Sequence, residues 1–347
     1  MVNGVNQEPE QSATDAESIP QPAPRKPRRM RSVIIRWAFY LLIIAAFGYF
    51  IATVDWASLE GASVNWGWLV LASVIALGFR YLGVIVWRRV LTRLGAHELP
   101  RFRTMSDIYA KAWLARYVPG TVPWIAGKIY MAAQHGISKS KLAVSTLVEA
   151  AAQVVAVGTV SLLMLAVDPR IGEVSPFFRV VVAIGAVLGL VAMAPPVFNR
   201  LLAFGLKILK RGTPVEVGWR LVSEALGLYA FGALLSGAAF ALMTRAVAPE
   251  VQSSDMLFLI GAFGFSGVVG MLTPLVPSGL GTRDATQMAL LLIVLPASTA
   301  ALVVLVSRVW SAAVDVLFWL VAYVLERVPR RPAPPAPAEP EVDAPAG

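Results

Sequence analysis

The chain has 347 residues, of which 57% are hydrophobic and 15% are charged, against about 25% charged in a typical soluble domain. A soluble protein of this size cannot bury so much apolar surface, so the composition predicts a polytopic membrane protein and excludes a soluble enzyme. The formal net charge is +9. The basic residues cluster at the ends of apolar segments, which indicates membrane topology and lipid contacts and not nucleic-acid binding. The absence of cysteine excludes disulfides and thiolate chemistry.

Three regions follow from the distribution of apolar residues. Residues 1–32 are polar, Pro-rich and basic, and we expect them to form a disordered cytoplasmic tail. Residues 33–328 form the predicted transmembrane domain. Residues 329–347 are rich in proline and predict a second disordered cytoplasmic tail with polyproline character.

Six apolar stretches of about 20 residues predict full transmembrane helices in an all-α fold. These stretches are 33–54, 67–87, 142–167, 177–198, 222–247 and 298–325. The first is too long for a signal-peptide core and has no small-residue cleavage site, so we interpret it as a retained span.

Two further apolar segments, 105–134 and 256–295, are interrupted by proline and glycine and predict re-entrant helical hairpins. The predicted tips contain Pro119, Gly120, Pro123 and Gly127 in the first hairpin, and Pro277, Gly279 and Gly281 in the second. Such residues do not continue a helix without cost, and each arm is short for a bilayer. Irregular backbone at that depth needs shelter from protein or from a polar cavity. The alternative for each segment is an ordinary loop or a kinked span.

The positive charges predict the orientation of these elements. Lys and Arg are concentrated in the N-terminal tail and in four further stretches, 88–103, 139–141, 207–211 and 327–331. All of these lie in the cytoplasm if the first hairpin enters and leaves from that side and the second from outside. Both termini are then cytoplasmic. Each half of the chain reads span, span, hairpin, span, which predicts an inverted-topology repeat of 33–167 and 177–325.

Ionisable residues inside apolar segments are costly and are therefore functional candidates. The set consists of Lys128, Glu149, Arg283, Asp284, Arg308 and Asp315. In one hypothesis these charges pair and hold the hairpin tips in position. In the other, Lys128, Arg283 and Arg308 line a basic cavity that binds an anionic headgroup. The carboxylates Glu149, Asp284 and Asp315 then act as supporting ion pairs or proton carriers. The two hypotheses are compatible. Arg80 is near the cytoplasmic end of its span, where it could snorkel towards water, and we interpret it as mostly structural.

No catalytic motif is recognisable. The sequence has no Walker-type glycine loop, no HExxH and no soluble block large enough for a transferase fold. We therefore expect no enzymatic activity, no metal and no cofactor.

Several of these segments resemble the lysylphosphatidylglycerol synthase transmembrane-region family, a flippase-like family. PSGLGTRDA at 277–285 resembles the P-x-G-x-G-x-R-[DE] hairpin tip of that family. RYVPGTVPWIAGKIYMAAQHGIS at 116–138 and LVEAAA at 147–152 resemble its first hairpin and the following helix, and SRVW at 307–310 resembles the opening of its last conserved helix. The resemblance covers residues 35–328. The soluble aminoacyltransferase domain of the multiple peptide resistance factor has no counterpart in this sequence, so aminoacyl transfer is not implied.

The resemblance implies a flippase-like transporter of an anionic phospholipid or lipid-linked headgroup in the bacterial cytoplasmic membrane. The alternative is a non-transporting scaffold or accessory subunit of a lipid-linked glycosyltransferase or lipid-modifying enzyme, with the Pro-rich tails as tethers. A small-solute exporter is a third hypothesis. The partners expected are membrane lipids. Small residues at 227–240 permit close helix packing within one chain or in a homo-oligomer.

Overall fold

The computed structural model describes residue 41 and residues 64–96, 98–117, 122–208, 217–273 and 281–328. The predicted tails lie outside these ranges, as does all of the predicted first span 33–54 except residue 41. The described residues form eleven α-helices and no strand. The helices are α1 (Trp66–Arg93), α2 (Phe102–Leu114), α3 (Val122–Ala133), α4 (Lys139–Val167), α5 (Pro169–Val174), α6 (Pro176–Met193), α7 (Pro195–Ile208), α8 (Trp219–Val247), α9 (Met256–Met271), α10 (Thr282–Leu291) and α11 (Ala297–Arg327).

Six helical segments of the described part are long and apolar enough to cross a membrane. They are α1, α4, α6, α8, α11 and the segment Ser253–Met271, which contains α9. Four predicted spans agree with α1, α4, α8 and α11 to within a few residues at most ends. The predicted span 177–198 is wrong at its end, because Pro195 and Pro196 begin a separate helix after Met193.

The segment Ser253–Met271 was predicted as the first arm of a re-entrant hairpin and not as a full span. Its length and composition are also sufficient for a full span. Helix α9 has 16 residues, which corresponds to about 24 Å, against roughly 30 Å of bilayer hydrocarbon. It lies along one half of α4 only: Gly264 contacts Ser161, and Val268 lies opposite Gly158. The C-terminal end of α9 is therefore beside the middle of α4.

The outer surface of the bundle is apolar. Helix α6 is mostly exposed and presents Phe177, Ile184 and Leu188 to the surroundings. Exposed leucine, isoleucine and phenylalanine in such numbers indicate lipid as the solvent.

The helix ends meet at two opposite ends of the bundle. At one, here called the basic end, Lys141 Nζ donates to the Gly95 carbonyl at 2.7 Å, and Arg93 pairs with Glu224. At the other, the Asn65 backbone N–H donates to the Ala246 carbonyl at 2.8 Å. These contacts set the termini of α1, α4 and α8 side by side.

An arginine joins two loops at the end opposite the basic end. The Arg170 guanidinium donates to both oxygens of Asp168 at 2.8 Å, and to Asp255 at 2.6 Å. These hydrogen bonds hold the pKa of the Asp168 carboxyl below its usual value, and they raise the pKa of Arg170. The start of α5, directly after α4, is thereby fixed to the 3-10 turn that precedes α9.

Two pairs of shorter helices form hairpins. Helices α2 and α3 pack against each other, as do α9 and α10. The first hairpin begins and ends at the basic end, where Arg103 donates to the Leu325 carbonyl and α3 leads into α4. In the second, Thr273 and Thr282 are hydrogen-bonded at 2.8 Å across the two arms. That hairpin begins at Asp255, at the end opposite the basic end, and ends at Leu295, which belongs to the same hydrophobic cluster as Val251.

Candidate functional site

The carboxylate of Asp315 is the centre of the first buried charge cluster. Asp315 lies near the middle of α11 and is fully buried. Its Oδ1 accepts from Arg80 Nε at 2.9 Å and from Trp113 Nε1 at 3.0 Å. Its Oδ2 accepts from the Tyr117 hydroxyl at 2.7 Å and from Arg116. The last turn of the first hairpin's leading arm is therefore attached to the centre of α11.

Arg80 points inwards to Asp315 and does not snorkel towards water. Its side chain is only 7% exposed and points inwards, where Nη1 donates to the Ala76 carbonyl at 3.0 Å. In a low-dielectric interior the attraction between a guanidinium and a carboxylate is strong. The ion pair with Asp315 therefore stabilises the inward orientation of Arg80 more than hydration at the membrane surface would stabilise the outward one.

Arg283 lies beside this cluster and contributes a third guanidinium group. It is half-buried at the start of α10, with its Cζ 5.0 Å from the Phe263 ring centroid. It is close enough to interact electrostatically with Arg80, Arg116 and Asp315. Among the described residues its guanidinium group forms no salt bridge and no hydrogen bond. Three guanidinium groups therefore face a single carboxylate.

The other predicted arginine, Arg308, is paired with Asp284. Arg308 Nε donates to Asp284 Oδ1 at 2.7 Å, and a second guanidinium nitrogen contacts Oδ2. Asp284 also accepts from the Gly281 backbone N–H at 2.9 Å. Gly281 has φ +89°, a conformation that side chains rarely adopt, which explains glycine at this turn. The second hairpin is thus attached to α11 about two turns from Asp315.

Lys128 and Glu149 form the second buried charge cluster. Lys128 Nζ donates to both Glu149 oxygens at 2.8 and 2.9 Å, and the two side chains are 1% and 4% exposed. Tyr229 lies close enough to Glu149 to interact electrostatically with its carboxylate. This pair joins α3 of the first hairpin to α4, and Tyr229 adds α8.

Aromatic rings surround the Lys128 ammonium group. Its Nζ lies 4.5 Å from the Trp87 ring centroid, 4.7 Å from Tyr109 and 5.9 Å from Trp124. Cation–π attraction stabilises a desolvated ammonium group. A Cβ built on Gly83 would lie 2.6 Å from the Tyr109 hydroxyl, so glycine is required there for this ring to approach α1.

A small cavity separates the two clusters. Its volume is about 10 Å³, and its lining includes Arg80 and Trp113 from the Asp315 cluster and Tyr109 and Tyr229 from the Lys128 cluster. Gln153 of α4 also contributes. Side chains of both clusters therefore line one small cavity, together with the apolar side chains of Phe79, Leu82 and Val86.

Each predicted carboxylate of the site is paired with a basic side chain. Glu149 pairs with Lys128 and Asp284 pairs with Arg308. Asp315 pairs with Arg80 and Arg116, which were not among the predicted site residues. Of the predicted tip residues, Pro119, Gly120, Pro277 and Gly279 lie outside the described residues; Pro123 and Gly127 lie in α3, and Gly281 precedes α10. No group of three carboxylates or histidines within the described ranges could hold a metal ion.

Sequence reasoning missed Arg116, Tyr117 and Trp113, which complete the Asp315 cluster. The available signal was a cation and an aromatic residue directly before the Pro119-Gly120 break. The aromatic residues around Lys128 gave no comparable signal, because an aromatic residue in an apolar helix is usually core.

The apolar helices and the paired charges in their interior define a multi-pass helical membrane protein. Comparison with known proteins identifies its family. Residues 33–318 match the family described as the lysylphosphatidylglycerol synthase TM region, and the chain belongs to that family, as the motifs predicted. No curated protein and no solved structure matches the chain.

Proposed function

We propose that this protein is a flippase-like transporter that moves an anionic phospholipid or lipid-linked headgroup between the leaflets of a bacterial cytoplasmic membrane. The observation that carries the proposal is the excess of positive charge around Asp315. An unpaired charge in a low-dielectric interior costs several kcal/mol. A phosphate group bound there would offset that cost, and guanidinium groups match phosphate oxygens in pairs.

Arg283 is the residue that we assign to direct headgroup contact. It is the described guanidinium of the cluster without a carboxylate, and it lies in the first turn of α10, where helical N–H groups add positive potential. The tip segments 118–121 and 274–280, which lie outside the described residues, contain no acidic residue in the sequence, so neither supplies a carboxylate to Arg283. Arg308 and Lys128 then act through their partners, by holding the hairpins in position.

Two re-entrant hairpins entering from opposite sides are part of the proposal. The first hairpin starts and ends at the basic end, and the second starts and ends at the opposite end. Both reach the middle of α11, through Arg116 on Asp315 and Asp284 on Arg308. These contacts support an inverted-topology repeat with its site near the membrane midplane. The basic end is then cytoplasmic, with both termini on that side.

A reconstitution assay tests the transport proposal. Purified protein in liposomes is given fluorescent phosphatidylglycerol or phosphatidylcholine, and movement is followed by chemical quenching of the outer leaflet. We expect selective movement of phosphatidylglycerol by the wild type. Loss of one charge-assisted contact of roughly 1.5–3 kcal/mol predicts a rate about 10- to 150-fold slower for Arg283→Ala.

Arg245→Ala is the matched control. Arg245 is also half-buried and has an aromatic contact, with its Cζ 5.2 Å from the Trp68 ring, but it lies at the far end of α8. We expect its transport rate to equal that of the wild type. A folded Arg283→Ala variant with the wild-type rate would refute the headgroup site, and a folded wild type that moves neither lipid would refute the transporter.

A further inference from the structure

A basic cleft opens at the basic end, where α1 ends and α8 begins, away from the Asp315 cluster. Four arginines line it, namely Arg88, Arg89, Arg93 and Arg220, with a single carboxylate, Glu224. Glu224 pairs with Arg93 and, at 3.3 Å, with Arg220. Arg88 and Arg89 are exposed and have no ion pair within the described ranges. The cleft thus holds three more positive charges than negative ones.

The shape of the cleft fits a ligand with a charged head and an apolar tail. Its volume is about 670 Å³, within the range of roughly 300–1,000 Å³ that small-molecule sites occupy. Ile85 and Phe102 form apolar parts of the lining, and Ile85 is 37% exposed on the span α1. The arginines lie at the ends of two spans, which is the depth of lipid headgroups.

We propose that this cleft binds the phosphodiester headgroup of an anionic phospholipid from the leaflet at the basic end. Arg88 and Arg89 bind the phosphate oxygens, while one acyl chain lies along Ile85 and Phe102. The apolar lining favours a lipid over a free anion, because a free anion gains nothing from it. This site is separate from Arg283 and does not depend on transport, so the two proposals can fail independently.

Binding is measured on the full-length protein in detergent by native mass spectrometry, with phosphatidylglycerol, phosphatidylcholine and inorganic phosphate as probes. Phosphatidylglycerol with a photoreactive group near its head locates the site by cross-linking. Each arginine near a membrane surface contributes about 1 kcal/mol to anionic lipid binding. The double variant Arg88→Gln/Arg89→Gln should therefore bind phosphatidylglycerol about 30-fold more weakly.

The matched control is Arg101→Gln/Lys139→Gln, which removes two exposed charges from the same end but outside the cleft. We expect its affinity to stay within about 3-fold of the wild type, because charges outside the cleft act only through the general surface potential. Arg88→Lys/Arg89→Lys should fall between the wild type and the Gln pair, since it keeps the charge but loses paired hydrogen bonding.

Cross-links at the end of α1 and the start of α2, lost in Arg88→Gln/Arg89→Gln, would support the site. Equal weakening in the control variant would overturn it, as would unchanged affinity in Arg88→Gln/Arg89→Gln. Inorganic phosphate binding as tightly as phosphatidylglycerol would overturn the assignment to a lipid.

Discussion

The Lys128–Glu149 pair predicts unequal costs for removing its two partners. Glu149→Gln leaves a buried ammonium group, whereas Lys128→Met leaves a buried carboxylate. Breaking a buried pair costs roughly 3–5 kcal/mol. The Trp87 and Tyr109 rings, both within 5 Å of Nζ, offset up to about 2 kcal/mol for the cation. We expect Glu149→Gln to lower the free energy of unfolding by about 2 kcal/mol and Lys128→Met by about 4 kcal/mol.

The double variant Lys128→Met/Glu149→Gln completes the cycle. It contains no unpaired charge, so we expect it to lie within about 2 kcal/mol of the wild type. Unfolding is followed by tryptophan fluorescence during titration with sodium dodecyl sulfate in mixed micelles. Equal losses in the two single variants would refute the role of the rings. A double variant as unstable as the sum of the singles would refute the ion pair.

Two further predictions concern a close packing contact and a loop. Gly83→Ala should lower the free energy of unfolding by about 1–3 kcal/mol, because the added methyl group meets the Tyr109 hydroxyl. The control Gly78→Ala has open space at its Cβ and should be neutral or stabilising by up to about 1 kcal/mol. Equal effects of the two substitutions in the same titration would contradict this account. Asp168→Asn should lower the melting temperature near pH 7. The Arg170 hydrogen bonds lower the pKa of Asp168 in the folded state, so the stabilisation exists above the ordinary carboxyl pKa of about 3.9 and is lost as pH falls through the folded value. The gap between wild type and variant should therefore shrink below about pH 4, and a gap constant from pH 7 to pH 3 would disprove the linkage.

Most of the long helices were predictable because apolar length alone specifies a transmembrane helix. The predicted spans 67–87 and 298–325 compare with Trp66–Arg93 and Ala297–Arg327. The structure extends them because their ends are polar residues that continue the helix beyond the apolar core. Helix α7 was not predicted, since it begins with Pro195-Pro196 and mixes apolar with basic and polar residues.

The individual charges of the site were predictable, but most of their pairings were not. Lys128 and Glu149 stand out because charge is rare in apolar segments, yet 21 positions separate them. Their contact depends on how α3 packs on α4, which no local pattern specifies. Arg116 was missed because a charge beside a hairpin break resembles a loop residue, and its distance from Asp315, 199 positions along the chain, hides the contact.

One helix, α11, supports both hairpins through residues seven positions apart. Arg308 and Asp315 project from the same face, so any rigid slide or rotation of α11 displaces both attachment points by nearly the same vector. We therefore expect a displacement of one hairpin to move the other through α11, without any contact between the two tips.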